Sequence, residues 1–140
     1  MPRRARLLGL ALALPLLATA CAGATSHTTT GSESSNNAAI TAAKGTDGVQ
    51  QITIDTTNQF RFAPMAIHAR VGQLRIVLTD HGAYPHNISF PTLNTKSATV
   101  SGDPGQQQTT FTVTFARTGT YDFVCTFHSS AGMKGQVIVS

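Results

Sequence analysis

The chain has 140 residues, with ten Lys or Arg, six Asp or Glu, five His and two Cys, a length that suits one ordinary domain and not two. Its formal charge of +4 is unevenly placed: Arg3, Arg4 and Arg6 stand at the N-terminus, and a chain starting at Cys21 carries seven basic and six acidic residues, a net of +1. The basic balance thus belongs to a leader and gives no ground for a nucleic-acid partner, which is not expected.

The leader reads in the order of an export signal. After the arginines, Leu7 to Leu17 form an apolar run interrupted by Gly9 and Pro15, followed by small Ala18, Thr19 and Ala20 and then Cys21. Eleven residues are too few to span roughly 30 Å of hydrocarbon as a helix, so residues 1–20 are expected to be a signal peptide. Leu17-Ala18-Thr19-Ala20-Cys21 resembles the bacterial lipobox, in which the Cys takes a lipid and becomes the mature N-terminus. The expectation is lipidation at Cys21, with membrane attachment through that lipid. An ordinary signal cut after Ala18-Thr19-Ala20, leaving the protein periplasmic or secreted, is the competing reading. The Arg3-Arg4 pair matches twin-arginine export poorly in its surroundings.

Residues 21–48 are mostly Ser, Thr, Ala, Asn and Gly, with hardly any charge. Such a stretch buries too little apolar surface to offset its ordering entropy and is expected to be a flexible tether. Residues 49–140 are expected to form the domain. There, short runs alternate apolar and polar residues: Ile52 and Ile54; Met65, Ile67 and Ala69; Leu74, Ile76 and Leu78; Phe111, Val113 and Phe115; Tyr121, Phe123 and Cys125; then Val137 and Val139. Gly, Pro and Asn separate the runs, and period two in short runs predicts an all-β sandwich or barrel of about seven to eight strands. No stretch supports a long amphipathic helix.

With Cys21 assigned to the lipid, Cys125 has no partner for an internal disulfide. It must be a buried inert thiol, an intermolecular bridge, a nucleophile or a metal ligand. Its setting separates these. Cys125 ends a strand, and His128 and Met133 follow on the turn before the last strand, so a thiolate, an imidazole and a thioether fall within nine positions. Two His, one Cys and a weak axial Met make the blue-copper ligand set. His86 is the second imidazole, opening a run in which His86, Ile88 and Phe90 share the inward face. Singly, each residue reads as easily as core or surface; together and in this order they point to copper, one ion per chain. His68 reads as a solvated strand residue, His81 as a surface turn residue, and His27 falls in the tether.

On these residues the chain resembles the cupredoxins, the type 1 copper proteins, in their plastocyanin and pseudoazurin branch. The resemblance runs over residues 49–140 and rests on Phe62-Ala63-Pro64 leading to Ile67 and Gly72, on Pro85-His86-Asn87, and on Tyr121-x-Phe123-x-Cys125-x-x-His128-x4-Met133. It implies a Greek-key sandwich, His86, Cys125 and His128 as equatorial copper ligands, and Met133 as the axial one. It further implies that Asn87 hydrogen-bonds the ligand loop at Thr126. The family commonly has Pro between the Cys and His where this chain has Phe127, which frees a backbone N–H expected to reach the Cys125 sulfur and tune the centre.

The function expected from the resemblance is one-electron transfer between redox proteins outside the cytoplasmic membrane, with no catalysis. A partner would dock beside His128, on a rim of Ala83, Tyr84, Pro85, Phe127, Ala131 and Gly132, and the protein would be a monomer. A non-redox copper carrier or scavenger is the alternative. Copper enzymes built on this domain need additional His ligands, and five His, one of them in the tether, leave too few.

Overall fold

The computed structural model describes residues 38–140. Eleven strands appear among them: β1 Ile40–Thr41, β2 Ala43–Lys44, β3 Gln50–Thr56, β4 Phe62–Ala63, β5 Ala66–Ala69, β6 Gly72–Asp80, β7 Ser89–Phe90, β8 Thr95–Lys96, β9 Gln108–Phe115, β10 Gly119–Val124 and β11 Lys134–Val139. The count exceeds the expected seven or eight because five of these strands are two-residue pieces at edges and corners. The only helical segments among the described residues are two short 3₁₀ turns, Pro91–Leu93 and Ser129–Ala131.

The strands form two sheets. One runs β1-β5-β11-β10-β7-β8; the other runs β2-β3-β6-β9, with β4 pairing beside β3. The central β6 lies parallel to β3, Ile54 facing Leu78, and antiparallel to β9, Ile76 facing Phe111. In the first sheet β11 pairs antiparallel with β10, Val137 opposite Tyr121, and parallel with β5, Val137 opposite Ile67. Strand alternation turns Leu74, Ile76, Leu78, Val113, Phe115, Phe123, Val137 and Val139 inward, where they are buried. Phe62 meets Phe123 edge-on at 5.1 Å between ring centroids, and Phe90 lies 5.6 Å from Phe123 and 5.8 Å from Phe115. These rings join the two sheets.

The N-terminal boundary differs from the sequence reading. Ile40–Thr41 pairs with β5 and Ala43–Lys44 with β3, so residues placed in the tether by composition are edge strands of both sheets. Their side chains are exposed, and backbone pairing rather than apolar burial holds them. That pairing leaves no trace in composition. The expected signal peptide, Cys21 and His27 lie outside the described residues.

Candidate copper site

Each candidate ligand is held by its own backbone. His86 forms an isolated antiparallel bridge with Val100, its N–H donating to the Val100 carbonyl at 2.8 Å and its carbonyl accepting from the Val100 N–H at 2.9 Å. The expected strand thus begins as a single bridge and becomes regular only at Ser89. Cys125 directly follows β10, and its N–H donates to the Met133 carbonyl at 3.1 Å, closing the ligand loop at its base. The His128 N–H returns to the Cys125 carbonyl at 3.3 Å, and the His128 carbonyl accepts from Ala131 and Met133. Gly132 ends this 3₁₀ turn in the left-handed region at φ 84°, a conformation that glycine reaches without a Cβ clash. The loop therefore fixes Cys125, His128 and Met133 relative to one another through main-chain bonds.

The side chains converge. The Cys125 Sγ lies 3.8 Å from His86 Nδ1 and 3.6 Å from His128 Nδ1, and the three ligand atoms fall within 4.8 Å of one another. A first-row ion with metal–nitrogen and metal–sulfur bonds of about 2.0 and 2.3 Å at trigonal angles would set nitrogen and sulfur about 3.7 Å apart. The donor spacing matches that figure, and the soft donor set suits copper. His86, Cys125 and Met133 are fully buried, whereas His128 is half-buried. Burial pushes the His86 imidazole below its ordinary pKa of 6.5; the Asp80 carboxylate opposes this, His128 reinforces it, and the Thr57 carbonyl opposes it. The site thus favours a neutral His86, the form that binds metal.

Asn87 bridges the site to the ligand loop. Its Oδ1 accepts the Thr126 N–H at 2.9 Å, and its Nδ2 donates to Thr126 Oγ1 at 2.8 Å. The bond expected from the Phe127 N–H to the Cys125 sulfur is not formed among the described residues, where the polar neighbours of Sγ are the two imidazoles. The loop bonds fix the peptides on either side of Phe127, at Thr126 and His128, and neither involves the sulfur. The Phe127 side chain is exposed instead. His68 is exposed on β5, and His81 is exposed with Nε2 2.9 Å from Asp55 Oδ1; neither joins the cluster.

Two residues at the site had no place in the sequence reading. Phe60 stacks on the His128 ring at 4.2 Å between centroids and 20° between planes. It takes φ 52°, unusual for a residue with a Cβ, in a turn that carries no periodic signal. Asp80 is buried at the end of β6, with Oδ1 4.0 Å from His86 Nε2. A signal for Asp80 did exist, since Leu74, Ile76 and Leu78 point inward and the same parity carries Asp80 to the core face.

The sequence model described as "Copper binding proteins, plastocyanin/azurin family" matches residues 48–140. Amicyanin of Paracoccus denitrificans is 30% identical over 98 residues, covering 70% of this chain and 70% of the amicyanin. The chloroplastic plastocyanin of Physcomitrium patens is 30% identical over 112 residues, covering 76% of this chain and 60% of its own length. Among solved structures, the metal-binding domain of the Cu(I)-exporting P-type ATPase of Streptococcus pneumoniae superposes with a TM-score of 0.59 at 18% identity, covering 74% of this chain and 97% of that domain, a likeness of fold. A two-sheet fold, a buried cysteine sulfur between two imidazoles and a family match over residues 48–140 give one conclusion: the chain belongs to the plastocyanin/azurin family of copper-binding proteins, the cupredoxins.

Proposed function

We propose that this protein is a mononuclear type 1 copper carrier of single electrons, working between redox proteins outside the cytoplasmic membrane. His86, Cys125 and His128 are the equatorial ligands and Met133 the axial one. The observation that carries the reading is the spacing of Sγ and the two Nδ1 atoms, with His86 and Cys125 buried and His128 half-buried. Copper supplies the Cu(II)/Cu(I) couple. The chain supplies a donor set tied down by main-chain bonds, so that little moves when the electron does.

The route for the electron is the half-buried His128. Around it, Ala83, Tyr84, Pro85, Phe127, Ala131 and Gly132 are all exposed, Tyr84 and Phe127 at 49% each. An apolar rim of this kind suits brief docking by another redox protein, with water displaced from the His128 edge and little charge to hold the complex. The protein works as a monomer. Export by residues 1–20 and lipidation of Cys21 would hold it at the outer face of the cytoplasmic membrane, within reach of membrane-bound partners.

The competing role is carriage of copper without redox work. Voltammetry of the copper-loaded protein separates the two. The electron-transfer reading expects a fast, reversible one-electron wave with copper retained through repeated cycles. Loss of the ion on reduction, or a sluggish irreversible wave, would leave carriage as the better account.

A further inference from the structure

The end of β6 holds a buried carboxyl group that the ligand set does not use. Asp80 is 3% exposed and shares the core-facing side of its strand with Leu74, Ile76 and Leu78. Its Oδ1 accepts from Thr56 Oγ1 at 2.9 Å and from the Gly82 N–H at 3.0 Å, which anchors the loop leading to His86. One oxygen performs that anchoring, and an asparagine would supply it equally well. The charge and the second oxygen have no part in it. Asp80 Oδ2 and His86 Nε2 are both buried and have no hydrogen-bond partner among the described residues, and Nε2 stands 4.0 Å from Oδ1.

A buried carboxylate with one oxygen unpartnered is costly unless a positive group stands nearby. A copper ion held by His86 would supply such a group. His86 turns Nδ1 toward the Cys125 sulfur; with Nδ1 given to the metal the neutral ring would carry its proton on Nε2, and metal-bound imidazoles commonly donate that N–H to a carboxylate or a carbonyl. Thr57 offers the carbonyl and Asp80 the carboxylate. Charge counting distinguishes their consequences. With the Cys125 thiolate, the centre carries one positive charge as Cu(II) and none as Cu(I). Adding Asp80 makes these zero and minus one, which favours the oxidised state.

We propose, resting on the copper reading above, that Asp80 is a positioning residue for His86: its buried carboxylate accepts a hydrogen bond from the His86 Nε2–H and lowers the reduction potential of the centre. No covalent bond changes; the site accepts one electron from a partner and passes it on, and Asp80 sets how readily. The distance between Nε2 and Oδ1 exceeds a formed hydrogen bond by about 0.8 Å, a closure within the reach of a ring turn.

The test is the reduction potential of the copper-loaded protein, its D80N and its D80E variants, each with its visible spectrum. D80N is expected to keep the thiolate-to-copper band and to shift the equilibrium toward Cu(I) by about tenfold, about 59 mV for a one-electron couple. D80E, which restores the charge, is expected to recover at least part of the shift. An intact band with an unchanged or lowered potential in D80N would reduce Asp80 to a loop anchor and overturn the proposal. If neither variant folds, a crystal structure of the copper-loaded wild type decides. An Asp80 oxygen within hydrogen-bond reach of Nε2 supports the proposal, whereas Nε2 bonded to the Thr57 carbonyl with the carboxylate still about 4 Å away overturns it. Absence of the band in the wild type would instead sink the copper reading itself.

Discussion

His86 is an imidazole that the fold holds away from its charged form. It is fully buried, and its pKa lies below the ordinary 6.5 chiefly because burial disfavours the imidazolium. The unfolded chain therefore binds a proton that the fold resists, and stability rises with pH across the interval between the two values. Stability is expected to be complete above about pH 6.5 and to fall as acid takes the protein below it. Urea unfolding of the metal-free protein at several pH values checks this, and His86→Gln should flatten the dependence. An unchanged slope in that variant would place the titrating group elsewhere. The converging residues were legible because Cys125, His128 and Met133 fall within nine positions and His86 opens an inward-facing run. Phe60 was not, since a ring brought over His128 by a left-handed turn follows no period.

Among the strands, β10 and β11 matter most to the site, because the loop between them carries Cys125, His128 and Met133. Their register places Phe123 opposite Gly135. A Cβ at Gly135 would collide with the Phe123 ring and with the Met65 carbonyl, both close to its backbone. That carbonyl also accepts the Gln136 N–H at 2.8 Å, so it has little room to retreat. Gly135→Ala is expected to destabilise the protein by about 1–3 kcal/mol, read from the denaturant midpoint. A cost near zero would mean that β5 and β11 can part without loss. Period-two alternation made the long strands readable: β3, β6, β9, β10 and β11 all show inward apolar residues in the sequence. The two-residue strands were not readable, because Ile40–Thr41 and Ala43–Lys44 are exposed and their only asset is a free backbone beside an open sheet edge. Composition cannot report a hydrogen bond between main chains.

The described residues form a two-sheet sandwich with one chemically distinct end. At that end the aromatic rings of Phe60, Tyr84 and Phe127 gather about His128, at centroid distances of 4.2, 6.3 and 6.3 Å. If this face receives the partner, charge placed on it should slow electron transfer without altering the metal. Phe127→Lys and Tyr84→Lys are expected to leave the visible spectrum unchanged and to lower the bimolecular rate with a physiological redox partner by about tenfold each, as loss of an apolar docking contact would. Equal rates in wild type and variants would move the docking face elsewhere. The sequence could name this rim, since the flanking loops are short and tied to His86 and His128. It could not name the approach of Asp80 to within 4.0 Å of His86 Nε2, which depends on the depth of one strand end relative to another.

The most direct measurement is addition of Cu(II) to a soluble form lacking residues 1–21, with visible and EPR spectra recorded beside Cys125→Ala. A trigonal thiolate–bis-imidazole site predicts an intense thiolate-to-copper band and narrow copper hyperfine splitting, both absent in the variant. Weak copper signals in the wild type, indistinguishable from those of the variant, would contradict the account and leave the fold as a copper-binding scaffold without an electron-transfer centre.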